Sequence, residues 1–218
     1  MPEVNRPEVK GIVFDLGAVV IDWNPIYLYR KLFDGDEAKA ANFLATVCTF
    51  AWNTEQDAGR DLVQATAERV GLFPEWEREI RAYYGRWIEM VGGPVPGTAA
   101  LMAEIKAAGL RLFALSNWHC ETFAQVRYTF KELDLFEHIV LSGELGLVKP
   151  DPAIYRAALD CYGVPPEHLI FVDDSPRNVE GAAREGLPGL VFTDAETLRR
   201  DLIDLGVPLK ASGVGRHA

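Results

Sequence analysis

The sequence predicts an α/β fold in which a doubly wound parallel β-sheet carries helices on both faces. Three observations predict it: short β-branched and apolar runs recur along the chain, helical patterns separate most of them, and polar residues directly follow the runs. Alternation of strand and helix is typical of parallel sheets with crossover helices. The length of 218 residues, with 49% hydrophobic and 25% charged residues, is that of an ordinary globular protein with one large core.

Five segments have the composition of strands that are buried on both faces. They are residues 11–14, 110–115, 139–141, 169–172 and 190–192. Helical spacing of apolar residues follows four of these segments and also precedes the second, at residues 101–108, 123–130, 155–162, 179–183 and 198–205. Residues 210–218 contain two glycines and a serine, which predicts a frayed tail.

The stretch from about residue 22 to residue 95 contains no convincing strand and predicts an inserted helical unit. Its clearest helix carries apolar side chains on one face, at Trp76, Ile80, Tyr83, Tyr84 and Trp87. Glycines and prolines between residues 92 and 97 predict the linker that returns to the sheet. We therefore predict a core domain of residues 1–21 and 96–218 and a helical cap of residues 22–95.

The charge balance argues against two classes of partner. The chain has 22 basic and 32 acidic residues, a net charge of −10, and lacks the basic runs typical of proteins that bind nucleic acid or anionic membranes. It also lacks an apolar run of roughly 18 residues, the length of a membrane span.

Cys48, Cys120 and Cys161 are far apart and predict reduced thiols in the core. We expect a cytoplasmic protein that binds neither nucleic acid nor membrane; the sequence leaves its oligomeric state open.

Ligands of open α/β sheets bind outside the carboxyl ends of the strands, and the residues at those positions are unusually polar here. They are Asp15, Leu16 and Gly17 after the first strand, Ser116 and Asn117 after the second, Lys149 beyond the third, and Asp173 and Asp174 after the fourth. The acids before Ser175 and Pro176 are also compatible with a simple helix start.

Three of these residues, Asp15, Asp173 and Asp174, are carboxylates that would repel one another at one edge of the sheet. Either their pKa values rise or a cation neutralises them. Mg²⁺ fits such a site because it takes one or two carboxylates together with waters and phosphate oxygens. The sequence therefore predicts Mg²⁺ and a phosphate ester.

The remaining polar groups are suited to bind a phosphoryl group. Lys149 adds a compact positive charge, Ser116 a hydroxyl donor, and the main-chain N–H groups of Leu16 and Gly17 further donors. Asp15 is then available to attack phosphorus and form an aspartyl-phosphate intermediate.

Four segments of the chain resemble the four motifs of the haloacid dehalogenase superfamily. They are Phe-Asp-Leu-Gly at 14–17, Leu-Ser-Asn at 115–117, Gly-Leu-Val-Lys-Pro-Asp at 146–151 and Phe-Val-Asp-Asp-Ser at 171–175. The resemblance spans about residues 11–193, and the helical insertion resembles that of the dehalogenase and phosphoglucomutase-like branch. It implies a Rossmann-like sheet with strand order 3-2-1-4-5 and a small helical cap.

The resemblance also implies a role for each matching residue. Asp15 resembles the nucleophile, Ser116 and Lys149 resemble the phosphate binders, and Asp173 and Asp174 resemble the metal ligands. Together they imply a hydrolase that acts on a small phosphorylated metabolite.

One position departs from the phosphatase pattern of this superfamily. Most members have a second Asp two residues after the nucleophile, which protonates the leaving group and later activates water, whereas this chain has Gly17. The main-chain oxygen of Gly17 remains able to bind Mg²⁺, but general acid–base catalysis, worth about 10²–10⁴-fold, needs another group. His119 is the first candidate for that group. Some sugar-phosphate phosphatases of the superfamily also show a Leu-Gly pair here.

Residues beside the motifs are candidates for substrate contact, with packing or turn roles as alternatives. They are Asn117, Trp118 and His119 after the second strand, and Trp23, Asn24 and Trp52 in the insertion. Asn178 is a candidate either to orient Lys149 or to bond to the main chain.

Three functions remain open at this point. The first is a Mg²⁺-dependent phosphatase, and the second is a metal-independent 2-haloacid dehalogenase, whose fourth motif resembles Ser-Ser-Asn and holds no acid pair. The third is a binding protein whose catalysis has decayed at Gly17. Asp173 and Asp174 favour the phosphatase, while Gly17 slightly favours the dehalogenase, which also lacks the second Asp.

Overall fold

A computed structural model describes residues 7–210. The segment 211–218 of the predicted frayed tail lies outside the described residues. In chain order the strands are β1 (Gly11–Phe14), β2 (Ile21–Trp23), β3 (Val91–Pro94), β4 (Arg111–Ser116), β5 (His138–Leu141), β6 (Leu169–Asp173) and β7 (Gly189–Val191). The α-helices are α1 (Ile26–Leu32), α2 (Glu37–Thr46), α3 (Phe50–Asp57), α4 (Leu62–Leu72), α5 (Glu77–Gly85), α6 (Thr98–Ala107), α7 (Cys120–Val126), α8 (Ser142–Leu145), α9 (Pro152–Tyr162), α10 (Pro176–Arg184) and α11 (Ala195–Asp204). Short 3₁₀ helices span Pro74–Trp76, Trp87–Met90, Lys131–Leu135 and Pro166–His168.

The central sheet has five parallel strands in the order β5-β4-β1-β6-β7. Numbered along the chain without β2 and β3, this is the order 3-2-1-4-5, so the predicted topology is confirmed. All five predicted strands lie within one residue of their positions in the structure.

Alternate residues of β1 face opposite sides of the sheet, as the two-residue period of a strand requires. Ile12 belongs to one hydrophobic cluster, which includes Leu101 of α6 and Leu198 of α11. Val13 belongs to a second cluster, which includes Ile154 of α9. Helices therefore cover both faces, and the doubly wound α/β class is confirmed.

The prediction that residues 22–95 contain no strand was wrong. β2 and β3 form a short antiparallel ladder in which Ile21 pairs with Pro94 and Asp22 with Gly93. β2 has three residues and β3 is rich in Gly and Pro, so neither strand carries an alternating pattern that predicts it, and each is stabilised by pairing with the other. A Cβ at Gly92 would collide with the carboxylate of Asp22, so a larger residue there would have to displace that side chain.

Helices α1 to α5 lie between β2 and β3 and pack around an aromatic cluster. Its rings include Tyr29, Phe43 and Tyr83, with Phe43 5.4 Å from Trp76. The predicted long helix is divided, because Trp76 ends one 3₁₀ helix and Trp87 begins another on either side of α5. The expected apolar face is nevertheless partly buried, as shown by Ile80 and Tyr83.

The cysteine prediction holds in part. All three thiols are free, and Cys48 is buried, but Cys161 is exposed and Cys120 half-buried, so the expectation of three core residues was wrong.

None of the helices among residues 7–210 combines the length and apolar character that a bilayer crossing needs.

Candidate active site

The parallel register brings the strand ends together at one edge of the sheet. Phe14 at the end of β1 pairs with Ala114 of β4 and with Val172 of β6. The next residue, Asp15, donates its main-chain N–H to the oxygen of Val172 over 2.8 Å. Residues that directly follow these strands therefore meet at a single point, as the sequence predicts.

Lys149 connects two of the carboxylates at this point. Its Nζ atom lies 3.0 Å from Oδ1 of Asp15 and 2.6 Å from Oδ2 of Asp173. It also donates to the main-chain oxygen of Leu115 over 2.9 Å. An ammonium group has three hydrogens, so this side chain, only 1% exposed, has an acceptor for each.

Burial and neighbouring charges have opposite effects on the pKa values of Lys149 and Asp15. Burial would lower the pKa of Lys149, but Asp15 and Asp173 outweigh it, and the pKa lies above its ordinary value. Burial raises the pKa of Asp15 to about 6, although the charge of Lys149 opposes the rise. Lys149 therefore remains a cation in the site.

The two oxygens of Asp15 have different surroundings. Oδ1 accepts hydrogen bonds from Ser116 Oγ (2.8 Å) and from the main-chain N–H of Leu16 (2.7 Å), in addition to its contact with Lys149. No hydrogen bond reaches Oδ2 from any residue in the described part of the chain. The carboxylate is thus held by one oxygen, while Asp15 borders a cavity. The Leu16 side chain is fully buried in the core.

Asp173 is held through both of its oxygens. Oδ1 accepts from the main-chain N–H of Ser175 (2.8 Å) and from Asn178 Nδ2 (3.0 Å), and Oδ2 accepts from Lys149. The Ser175 side chain makes no capping bond to α10, so a simple helix cap does not explain this segment. The amide of Asn178 binds Asp173, a partner that the sequence analysis did not consider.

Asp15, Asp173 and Asp174 form a cluster whose carboxylate oxygens lie within 4.8 Å of one another. Burial and the charge of Asp173 raise the pKa of Asp174 above its ordinary value. Three carboxylates face one ammonium group, so an excess of negative charge remains. An all-oxygen donor set of this kind fits a hard cation such as Mg²⁺.

Gly17 borders the same cavity beside Asp15. Its backbone is not in the left-handed region, and a Cβ at this position would meet no atom within 4 Å. The positive φ in this turn belongs instead to Ala18, at 59°. Gly17 is therefore not required by the turn, and the site has room for a side chain there.

The residues after β4 have three different placements. Asn117 clamps the main chain of Lys149, accepting its N–H over 2.8 Å and donating to its oxygen over 3.0 Å. Trp118 borders the cavity and packs 5.7 Å from the ring of Trp87. The ring of His119 caps α7 by accepting the N–H of Glu121, and His119 is not among the residues that line the cavity.

The cavity has a volume of about 540 Å³ and lies between the sheet edge and the helical insertion. The sheet side presents Asp15, Gly17, Ser116, Lys149 and Asp174. The insertion side presents Trp23, Phe50, Asn53, Thr54, Asp57, Tyr84 and Trp87. Of the other insertion candidates, Asn24 accepts the main-chain N–H of Ile26 at the start of α1, and the ring of Trp52 lies 5.2 Å from that of Tyr83. Neither residue lines the cavity.

Asp57, at the end of α3, is a cavity residue that the sequence analysis missed. Its Oδ2 accepts from Asn53 Nδ2 over 2.8 Å, and its carboxylate also accepts the main-chain N–H of His119. Burial raises the pKa of Asp57 to about 8; the His119 bond opposes this rise, and the charge of Asp15 adds to it. The residue belongs to no motif, and its only sequence signal is its helical spacing from Asn53.

Comparisons with known proteins identify the family to which this chain is similar. The model of the haloacid dehalogenase-like hydrolase family matches residues 9–186. The chain is 28% identical to a sesquiterpene phosphatase of Aspergillus oryzae, over 85% of this chain and 91% of that protein. It is 24% identical to an (S)-2-haloacid dehalogenase of Pseudomonas putida, over 91% of this chain and 95% of that protein.

A solved structure shows the same fold. A HAD family enzyme from Bacteroides thetaiotaomicron, in a magnesium complex, superimposes with a TM-score of 0.68 at 21% identity, over 89% of this chain and 98% of that one. The relatives thus include both a phosphatase and a dehalogenase.

Proposed function

The chain belongs to the haloacid dehalogenase-like hydrolases, and we propose that it is a Mg²⁺-dependent phosphomonoesterase that acts through an aspartyl-phosphate intermediate. The observation that carries the proposal is the cluster of Asp15, Asp173 and Asp174 beside the buried Lys149. An acid cluster of this kind suits a reaction that needs both a metal ion and a carboxylate nucleophile.

The metal would be held by the carboxylates of Asp15, Asp173 and Asp174, with the main-chain oxygen of Gly17 as a further ligand. When bound, Mg²⁺ would supply positive charge that offsets the negative charge of the carboxylates and of the substrate phosphate. The hydrogen bonds from Ser175 and Asn178 to Asp173 would keep that carboxylate oriented.

Asp15 would attack phosphorus through Oδ2. Its other oxygen is bound by Ser116, Leu16 and Lys149, which fixes the plane of the carboxylate and aims the second oxygen at a bound substrate. Such orientation before the reaction lowers the barrier because less freedom is lost on the way to the transition state.

Lys149, whose three hydrogens have protein acceptors, would act on the phosphoryl oxygens through its charge. Ser116 would bind one of these oxygens by rotating its hydroxyl away from Asp15. Lys149 is held by Leu115 and clamped through its main chain by Asn117, so its charge is fixed in advance. Fixed charge of this kind stabilises a transition state without reorganisation.

We propose further that residues 22–95 act as a cap over a core of residues 1–21 and 96–218. The support is the position of the cavity, whose walls come from both parts of the chain. A wall of this kind excludes water from the reacting phosphate, which favours transfer to Asp15.

The substrate would be a small phosphate ester whose organic part packs against aromatic rings. Trp23, Phe50, Tyr84, Trp87 and Trp118 line the cavity. Aromatic faces accept both apolar groups and the C–H faces of sugars. A sugar phosphate remains a prediction from the sequence, and a terpenyl monophosphate is the alternative that the Aspergillus relative suggests.

The experiment is a substrate panel run with Mg²⁺ and with EDTA. The panel contains sugar phosphates, a terpenyl monophosphate, aryl phosphates and 2-chloropropionate. We expect phosphate release that EDTA abolishes and Asp15→Asn removes. Asp160→Asn, on the exposed face of α9, is the matched control and should behave as wild type. Halide release that is indifferent to EDTA would instead establish the dehalogenase.

A further inference from the structure

We propose that Asp57 is the catalytic acid and base of this site and transfers the protons that Gly17, lacking a side chain, does not transfer. The inference rests on the proposed phosphatase function and assigns the residue that completes its chemistry. It places one catalytic group on the helical insertion and the others at the sheet edge.

Few acidic side chains border the cavity. Among residues 7–210, the carboxylates that border the cavity are Asp15, Asp174 and Asp57. Asp15 and Asp174 belong to the acid cluster at the sheet edge. Asp57 is the remaining one, and it belongs to the insertion.

The leaving group departs toward the insertion. A nucleophile and a leaving group lie roughly in line on opposite sides of the transferred phosphorus. Asp15 attacks from the sheet edge, so the leaving oxygen faces the insertion side of the cavity. Asp57, Asn53 and Thr54 of α3 line that side. Of these three side chains, only the carboxyl group of Asp57 can exchange a proton readily near neutral pH.

Asp57 is also held in place from two directions. Asn53 donates to Oδ2 over 2.8 Å and is itself fixed by the hydroxyl of Tyr84, which donates to Asn53 Oδ1 over 3.0 Å. The main-chain N–H of His119 donates to the carboxylate from the core side. A group with this support keeps one orientation toward the cavity.

The protonation state suits the role. The groups that act on the pKa of Asp57 are Asp15 at the sheet edge and the main chain of His119, and Tyr83 and Tyr84 of α5 are its titratable neighbours on the insertion side. Burial, the largest effect, raises the pKa of Asp57 to about 8. The carboxyl group is therefore mostly protonated at pH 7, as a general acid must be, and it loses its proton as the pH rises above 8.

The proton transfers balance over two steps. In the first, Asp15 Oδ2 forms a bond to phosphorus, the bond from phosphorus to the ester oxygen breaks, and that oxygen takes the proton of Asp57 and leaves as an alcohol. In the second, a water molecule attacks the phosphorus of the aspartyl phosphate and gives a proton to the Asp57 carboxylate. The Asp15 carboxylate departs with its electron pair. The net reaction is hydrolysis of the ester to an alcohol and phosphate, and both aspartates return to their starting forms.

His119, the candidate from the sequence, is not placed for this role. Its Nδ1 accepts the N–H of Glu121 at the start of α7, and the residue does not line the cavity. Its contribution is the main-chain N–H that binds Asp57.

The test is the dependence of kcat/KM on leaving-group pKa in wild type and in Asp57→Asn. Asn has nearly the shape of the protonated carboxyl group but transfers no proton. For alkyl phosphates we expect a loss of about 10²–10⁴-fold. For aryl phosphates with acidic leaving groups the loss should be under about tenfold, because these groups depart without a proton. Glu55→Gln, an exposed acid-to-amide change on the same helix, is the control and should match wild type.

The pH profile gives a second readout that a purely structural role would not move. Wild-type kcat for an alkyl phosphate should fall as the pH rises through about 8, and this alkaline limb should be absent in Asp57→Asn. A melting curve for each variant verifies the fold. Restoring a carboxylate with Gly17→Asp in the Asp57→Asn background should recover part of the lost alkyl-phosphatase rate, because a side chain fits at Gly17.

The outcomes separate the two proposals. Suppose that the wild type releases phosphate, and that Asp57→Asn lowers kcat/KM equally for all substrates or leaves it unchanged for all of them. The role of Asp57 is then overturned, while the phosphatase function stands. If the wild type hydrolyses no phosphate ester in the panel, the proposed function itself fails.

Discussion

The hydroxyl of Ser142 donates a hydrogen bond of 2.5 Å to the main-chain oxygen of Asp57. Ser142 follows β5 at the sheet edge, whereas Asp57 ends α3 in the insertion, so one bond joins the two walls of the cavity. The same hydroxyl oxygen accepts the main-chain N–H of Trp118 over 2.8 Å. Nearby, a Cβ at Gly59 would lie 2.6 Å from the main-chain oxygen of Gly143. The segments around Gly59 and Gly143 therefore approach each other as closely as glycine permits.

Ser142→Ala should therefore affect both stability and catalysis. It leaves the oxygen of Asp57 and the N–H of Trp118 without this partner, at a cost of about 1–3 kcal/mol. Since the Asp57 end of α3 gains freedom, kcat/KM for alkyl phosphates should fall more than kcat/KM for aryl phosphates. Denaturant unfolding and the two rates measure this. Thr46→Ala, which removes a surface hydroxyl bond within α2, is the control; an equal fall for both substrate classes would contradict the positioning role.

Lys149→Met tests the buried cation. The change leaves Asp15 and Asp173 buried without their ammonium partner, which should lower the free energy of unfolding by about 3–5 kcal/mol. Activity should fall by about 10²–10³-fold because a fixed charge is lost from the phosphoryl site. Added Mg²⁺ should raise the Tm of the variant more than that of wild type, since it offsets the same carboxylates. Lys106→Met, at a surface lysine that binds the oxygen of Leu135, should change little.

Asp174→Asn tests the metal site at its most accessible carboxylate. Isothermal titration should show Mg²⁺ binding weakened by at least about tenfold, or about 1.4 kcal/mol, because one charged ligand is lost. Asp173→Asn should weaken binding too and should also lower Tm, since Asp173 is fully buried against Lys149. Glu180→Gln on the exposed face of α10 is the control. Unchanged Mg²⁺ affinity in both site variants would show that the metal does not bind at this cluster.

Gly17→Asp, alone and combined with Asp57→Asn, tests whether a proton donor beside the nucleophile reaches the leaving oxygen. The backbone at Gly17 is not left-handed, and an added Cβ would meet no atom within 4 Å. The variant should therefore fold with nearly unchanged Tm. Its kcat/KM should depend less steeply on leaving-group pKa than that of Asp57→Asn. The measurement is the slope of log kcat/KM against leaving-group pKa, and identical slopes in Asp57→Asn and the double variant would show that residue 17 is out of reach of the leaving oxygen.

The sheet-edge residues could be predicted because parallel register forces strand ends to meet. Asp15, Ser116 and Asp173 each end or follow a strand that the sequence shows plainly. The structure places Asp15 and Asp173 against Lys149, and Ser116 against Asp15. The sequence analysis named His119 and missed Asp57 for a physical reason. His119 is near the second motif in sequence, whereas only the packing of the insertion brings Asp57 to the cavity.

The short strands and the divided helix were missed for a related reason. β2 and β3 are stabilised by pairing with each other across about 70 residues of chain, and neither has a pattern of its own. Tertiary contacts of the insertion are therefore the part of this fold that periodicity does not predict, and they supply one full wall of the cavity.

The most direct test of the account is the identity of the covalent adduct on Asp15. The enzyme is mixed with a phosphomonoester that the panel shows to be hydrolysed, quenched in acid during turnover, and digested for peptide mass spectrometry. The account predicts a phosphoryl group on Asp15 that forms only with Mg²⁺ present and is absent in Asp15→Asn. Turnover without any phosphoryl group on Asp15, or an ester of Asp15 with 2-chloropropionate formed without metal, would contradict it.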